Sequence, residues 1–491
     1  MTGSLATSKW FVGTMVVCLL AGVCAGVEFA GGTGEPNDPY QIATAEQICS
    51  IGSDPVLSKM SFLLIADLDL DPNLPGAKVF TRSVISRLSG GFDGGGHAVR
   101  NLVVNAPDRD GVGLFGYIAG HVENLVVENA SVTGRGRVGT LAGGNGGEIS
   151  SCTLDGVVVG IDPRVGGVVG DNYGGRIIDT GFSGTVSGIE MVGGLVGSNN
   201  GQISGCRAIC DVIGDTRVGG FAGQSGVALG DVVVSGLIQN SYASGTVHGT
   251  SLVGGLVGHN DYFGEVVNCY ATGWVLGEDG VGGLIGRANH GYVGGSFWDV
   301  EATTQITSAA GSGRTTAQMK TLRTFAAWGC SGAWTLDEGI DYPRLVWEKV
   351  AGTRIEKPVY GGGTGTAMDP YLICTAEQFN EIGLAQCDWD KHFRLMADID
   401  IAEIAGTPLN LIGFYAGYQN RNTVPFTGVL DGNGRSVSNF CFTSASADHV
   451  GLIRYMGPDG CIKDLRLPDP NVCVVAGKYT GSLVGLMGGG T

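Results

Sequence analysis

The sequence predicts an all-β fold: a parallel β-helix with short helical caps, followed by a second, incomplete copy. Three observations predict it. The first is a recurring six-residue phrase: VGGVVG from Val165, VGGLVG from Val192, VGGFAG from Val218, VGGLVG from Val253 and VGGLIG from Val281, with looser copies VGLFG from Val112 and VGTLAG from Val138. The starts step by 26, 27, 27, 26, 35 and 28 residues, which is the rhythm of a solenoid. The second is the content of a unit. It holds short Val- and Ile-rich segments separated by Gly and Asn turns, with no 3.6-residue periodicity and no Leu-x-x-Leu-x-Leu frame, which excludes helical and leucine-rich arrays. The third is that the chain begins again. GGTGEPNDPYQIATAEQ at Gly31 returns as GGTGTAMDPYLICTAEQ at Gly362, IADLDL at Ile65 as MADIDI at Met396, and FDGGGHAV at Phe92 as LDGNGRSV at Leu430.

The elements follow in chain order. Residues 1–25 read as a secretory leader: Lys9 flanks the apolar run Trp10 to Ala21, and Val23-Cys24-Ala25 suits cleavage after Ala25. Cys24 follows Gly22-Val23, a poor lipobox. Residues 26–296 form the first solenoid. Its N-terminal lid is the strand and short helix of residues 40–52, where Thr44 and Gln47 make a capping box. Seven coils of three strands, rising about 4.8 Å each, give a rod of roughly 34 Å. Each coil bends sharply and neighbouring backbones come close, which Gly tolerates. Leu195 and Val196 are adjacent and both apolar, so a Gly-assisted bend must turn both inward. The long step between Val218 and Val253 places an insert around residues 224–237. Residues 297–349, with Trp298, Trp328, Trp334 and Trp347 and a short helix capped by Thr315 or Thr316, form a C-terminal lid. Residues 350–361 read as a linker and 362–491 as the second solenoid, which stops six residues after its second motif without a lid. That reads as a fragment, or as an edge that a partner covers.

Composition narrows the function. The 491 residues carry a net charge of −17 with a pI of about 4.7, and no basic block appears, so nucleic acid is not the expected partner. Past the leader no run approaches 18 apolar residues, so no membrane span is expected in the mature chain. A secreted or cell-surface location follows. Removing Cys18 and Cys24 leaves eleven Cys, an odd number. Cys152, Cys206 and Cys269 take the same place in their units, with Thr180 and Ser241 there in the units between. Two coils, about 9.6 Å, separate them, too far for a disulfide, which needs Cα atoms within about 7 Å. All three are expected reduced and facing inward.

The units, best seen at 253–273 as VGGLVG…VVNCYATG, together with the opening GTGEPNDPYQIATAEQ and the stretch SFWDVEATTQITSAAGSGRTTAQM at 296–319, resemble the GLUG repeat of large secreted bacterial proteins. The resemblance implies a right-handed parallel β-helix at or outside the cell surface and no single activity. GLUG repeats also accompany IgA-cleaving metallopeptidases, as an accessory region. A peptidase of that kind needs H-E-x-x-H, and none of the seven His is followed by Glu or lies four residues from another. Gly-x-Ser-x-Gly, P-loop and zinc-spaced Cys patterns are also missing.

Two groups of residues remain as candidate sites. Asp67, Asp69 and Asp71 alternate on a strand, so three oxygen donors share a face; Ca²⁺ is the one metal this suits, and no other cofactor is expected. The second group lies in the turns after the motifs: Asn172 and Tyr173, Asn199 and Asn200, His259 to Phe263, and Asn289, His290 and Tyr292. Asn there is explained by turn geometry and ladder stacking. The rings are not. Tyr173, His259, Tyr262, Phe263, His290 and Tyr292 form the candidate ligand edge, beside the insert. The reading is therefore a non-catalytic surface protein for binding or adhesion, to an extracellular glycan or surface protein. A polysaccharide lyase or glycoside hydrolase on a β-helix, or a structural spacer, are its rivals.

Overall fold

The computed structural model describes residues 27–52, 54–229, 232–415, 423–445 and 447–491. The leader assigned to residues 1–25 lies outside them. Three parallel ladders build the first solenoid. One runs from Tyr40–Ile42 through Val169–Ile178 and Val196–Ser204 to Ile285–Ala288; a second runs from Leu68–Asp69 through Thr153–Gly160 and Arg207–Ile213 to Phe297–Asp299; a short third joins Val165–Gly166, Glu190–Gly193, Thr216–Gly219, Ser251–Gly254 and Asp279–Gly282. The first valine of the motif pairs in register from coil to coil, Val165 with Val192, Val218, Val253 and Val281 in turn. Val165, Val192, Val218 and Val253 are fully buried, each such side chain contributing roughly 1.5–3 kcal/mol.

The three glycines of the phrase have three separate causes. A Cβ on Gly193 would strike the carbonyl oxygen of Val196, closing the corner; one on Gly194 would strike the carbonyl of Gly220 in the next coil; one on Gly197 would strike the main chain of Arg164 and Val165 in the preceding coil. The chain bends at Gly194 and Leu195 and resumes as a strand at Val196. That corner points Leu195 and Val196 both inward, each with no exposed surface.

Cys152, Thr180, Cys206, Ser241, Cys269 and Ser296 stack as consecutive rungs. Each Cys N–H donates to the hydroxyl of the next coil, Thr180 at 3.4 Å, Ser241 at 3.1 Å and Ser296 at 3.1 Å. All three Cys are buried and free, and burial pushes the Cys152 and Cys269 thiols up to about 12.

At the N-terminal end Thr44 and Gln47 do form a reciprocal capping box. The C-terminal segment departs from expectation. Trp298 packs over the last coil, joining its core. The rest of the segment folds back along the rod. Trp328 and Trp334 cover Tyr242 and Tyr270, outward residues of the second ladder that stack at 4.9 Å, and Trp347 Nε1 donates to the Gly205 carbonyl at 2.7 Å. Outward tyrosines at successive coils leave an apolar stripe that must be covered.

The stretch read as a linker is also built in. Thr353–Arg354 pairs with Trp334–Leu336, Ile355 is buried in the tryptophan cluster and Tyr360 in the core of the second solenoid. That solenoid repeats the opening strand and helix, Tyr371–Ile373 and Ala376–Ile382, and its ladder runs through His392–Leu395 and Val429–Asp431 to Cys461–Lys463. A disulfide, Cys330–Cys387, ties it to the tryptophan cluster. Among the described residues no helix is long and apolar enough to cross a membrane.

Candidate functional site: a polar groove beside an aromatic edge

The residue before each motif valine adopts a left-handed backbone: Gly111, Arg137, Arg164, Met191, Arg217, Leu252 and Gly280, with φ between 51° and 74°. The residue after each motif, Tyr117, Gly144, Asp171, Ser198, Gln224 and His259 in successive coils, forms an outward column of paired strands. Between these two columns lies a groove of about 830 Å³, spanning the five coils from Tyr117 to Gln224, about 19 Å at the strand spacing. Val227 lines its side. Val227–Leu229 pairs antiparallel with Val232–Val234, so the insert is a hairpin standing beside the groove.

Three arginines and three aspartates line this groove: Arg137, Arg164 and Arg217 against Asp110, Asp171 and Asp261. Arg164 lies 3.3 Å from Asp171, and Arg217 lies 3.0 Å from Glu190 and donates to Gln224 at 3.2 Å. Burial raises the Asp171 carboxyl above the usual carboxylate range, against the pull of Arg164 and Arg137. Asn200 donates to the Ser198 hydroxyl at 3.2 Å. Four buried polar atoms here have no protein partner: Asp171 Oδ1, Asn200 Oδ1, Arg164 Nε and Arg217 Nε.

The residues singled out from the sequence part company. Asn172 and Asn199 are not on an exposed turn. The strand Val196–Ser204 runs straight through Ser198-Asn199-Asn200, so alternation sends Asn199 inward. Asn145, Asn172 and Asn199 form a buried amide ladder at 2.9 Å per step. His259 is not exposed either. It occupies the outward column paired with Gln224 and Arg287, 8% exposed, its ring nitrogens without protein partners and its imidazole pushed down by burial. Tyr292 is packed against Phe414 of the second solenoid at 5.4 Å, and burial pushes its phenol up to about 12. Tyr173 stands out, 57% exposed, on the groove wall. Tyr262, Phe263 and His290 remain together on the surface, with the Tyr262 and His290 rings stacked at 4.6 Å.

The three aspartates are not gathered. The strand ends at Asp69, so Asp71 leaves the shared face. Asp67 accepts from Ala98 N, His97 and Arg100, Asp69 from Asn101, and Asp71 from Asn73. Those partners hold the Asp67 carboxyl down at about 2. No group of three metal-ligating side chains exists among the described residues.

The arginine and aspartate lining of the groove was missed from the sequence. Its signal is the residue before the motif, which is Arg in three of five successive units.

With this geometry in view, the chain is a parallel β-solenoid whose surface carries one long polar groove. It carries the GLUG motif, whose family matches residues 249–276. It is 33% identical over 150 residues to halomucin of Haloquadratum walsbyi, a match covering 28% of this chain and 2% of that protein. It is 30% identical over 196 residues to the immunoglobulin A1 protease of Streptococcus sanguinis, covering 36% of this chain and 10% of that protein. A solved chain from Bacteroides ovatus, titled as a candidate immunoglobulin A1 protease, is 23% identical with a TM-score of 0.43, covering 66% of this chain and 96% of that one. The chain thus spans a small part of the curated relatives it matches, and its likeness is to repeat proteins of surface and secreted type.

Proposed function

We propose that the protein is a non-catalytic, secreted or cell-surface binding protein that grips an extracellular ligand, most directly a glycan, along the groove and its aromatic edge. The exposed stack of Tyr262 on His290, with Phe263 beside it, carries this reading. Coil packing does not need rings there, and planar rings with polar neighbours suit sugar faces. Adjacent Asp261 lines the groove, so edge and groove form one surface. The hydrolase reading is weaker. Asp171 and His259, the buried titratable groups of the outward column, lie three coils apart, about 14 Å, too far to act on one glycosidic bond together.

The test is a Tyr262→Ala, Phe263→Asn, His290→Asn variant, Asn being chosen because Phe263 and His290 have left-handed backbones. It should melt like the parent and lose at least tenfold in retention on a glycan panel and on cells, each ring contributing on the order of 1 kcal/mol. Undiminished retention refutes the edge as the gripping surface, and new chain ends in any glycan sample refute the non-catalytic reading.

A further inference from the structure

We infer that the groove holds an uncharged polysaccharide strand lying along the rod axis, with about one sugar unit over each coil. The inference rests on the binding reading above and names the ligand class of the groove. The first ground is the set of buried polar groups with unused capacity. Asn200, Ser198 and Gln224 are 7%, 5% and 6% exposed, and Asn200 Oδ1 is without a protein partner. A desolvated acceptor of this kind costs roughly 1–3 kcal/mol unless a ligand supplies the donor. Arg164 Nε and Arg217 Nε are unused donors on the opposite bank, and Asp171 Oδ1 is an unused acceptor. Arg164 and Arg217 reach across to Asp171 at 3.3 Å and Gln224 at 3.2 Å, so donors and acceptors lie side by side along one channel floor. A sugar hydroxyl satisfies both, since it donates once and accepts twice.

The second ground is charge. The lining balances three arginines with three aspartates, Arg164 is already matched by Asp171 and Arg217 by Glu190, and the whole chain is at −17. A uronic acid or sulfated chain would meet two occupied guanidiniums of the three and the repulsive field of the whole chain, and a polycation would meet the arginines.

The third ground is repetition. The outward column repeats at one strand spacing, about 4.8 Å, close to the advance of one hexose in an extended chain. Five rungs, Tyr117, Gly144, Asp171, Ser198 and Gln224, border the groove. Tyr117 lays its ring over Gly144, where a Cβ would meet it at 2.9 Å, so one aromatic face is built into the rungs, and Tyr173 offers a second at the wall.

The experiment is calorimetric titration of the whole chain with β-1,4-linked glucose, mannose and xylose oligomers of two to six units, and with oligogalacturonate of equal length. At least one neutral series should bind with affinity rising per unit and levelling near five units, unchanged between low and high salt. The Asn200→Ala, Gln224→Ala variant should weaken the hexamer at least tenfold. Oligogalacturonate binding as tightly as the neutral series, affinity independent of length, or a variant that melts and binds like the parent would overturn the inference. So would retention of extended peptides in place of every sugar. If the variant is unfolded, the length series on the parent decides. If no neutral oligomer binds while cells are held through Tyr262, Phe263 and His290, the groove inference falls and the binding reading stands. If neither sugars nor cells are held, both fall.

Discussion

The two solenoids open with the same atoms and diverge on their surfaces. A Cβ on Gly32 would strike the Pro39 carbonyl, and one on Gly363 the Pro370 carbonyl. Thr44 caps the first short helix and Thr375 the second. Asp69 accepts from Asn101 at 2.9 Å, and Asp400 accepts from Asn439 at 2.7 Å. The column before each motif valine differs. In the first solenoid it carries Arg137, Arg164, Met191 and Arg217; in the second it carries His449 and Tyr479, whose rings stack at 4.9 Å, with Tyr415 against His449 at 4.7 Å. The inner column differs too: beyond Ile118 it carries Asn145, Asn172 and Asn199 in the first, where Met456 and Met487 stand in the second. Coil geometry asks only for a left-handed backbone at the outer column, so its side chains are free to carry ligand chemistry. The second solenoid has an aromatic surface where the first has a charged and amide-lined one.

Four perturbations sharpen this contrast, starting with the largest. Gly194→Ala drives a Cβ into the next coil's Gly220 carbonyl, and should unfold the first solenoid by more than about 4 kcal/mol. Met191→Ala, three residues earlier on the outer column, should stay within about 1 kcal/mol in the same urea titration. A comparable loss at both positions would remove the distinction between packing glycines and free outer column. Second, Cys330→Ser with Cys387→Ser should lower the stability of the second solenoid by about 2–4 kcal/mol in the same urea titration.

Third, Asn172→Ala breaks a ladder in which Asn172 accepts from Asn145 and donates to Asn199 and the Gly175 carbonyl. It should cost about 1–3 kcal/mol, whereas Met456→Leu at the matching inner column should cost less than about 1.5 kcal/mol. The smallest effect is a pH slope. Asp67 is held at about 2, below its ordinary 3.8. Its contribution is full above 3.8 and disappears as pH falls through about 2. Asp67→Asn should flatten the acid side of the stability curve. Asp398, lowered by its bonds to Ser436, does the same for the second solenoid.

The sequence carried the coil well. The step of 26–28 residues, the valine register, the Cys–Thr–Cys–Ser rungs and the Thr44 cap all follow from spacing and side-chain size. The candidate site was legible in part. Tyr262, Phe263 and His290 were expected on the surface and lie there together, because rings in a turn have no packing reason. The Asn residues and His259 were misplaced, because Ser-Asn-Asn-Gly spells a turn in isolation. Here, ladder pairing on both sides keeps it extended, and alternation then decides which side chain points where. The tryptophan-rich segment was read as an end lid because a solenoid's open end is its obvious liability. Tyr242 and Tyr270, one coil apart and both outward, set a larger demand on the flank.

The Cys330–Cys387 disulfide also governs how the molecule bears load. On the proposed reading, a protein held at a surface and gripping a ligand would be pulled along its chain. Tension entering the second solenoid beyond Cys387 crosses the S–S bond straight to Cys330, bypassing the loop closed by a sequence separation of 57. The strand Thr353–Arg354, its antiparallel neighbour Trp334–Leu336 and the opening helix Ala376–Ile382 all lie inside that shielded loop. None of them can be peeled away until a covalent bond breaks. The joint between the two rods is thereby a clasp, stiff under pull and releasable by a reductant.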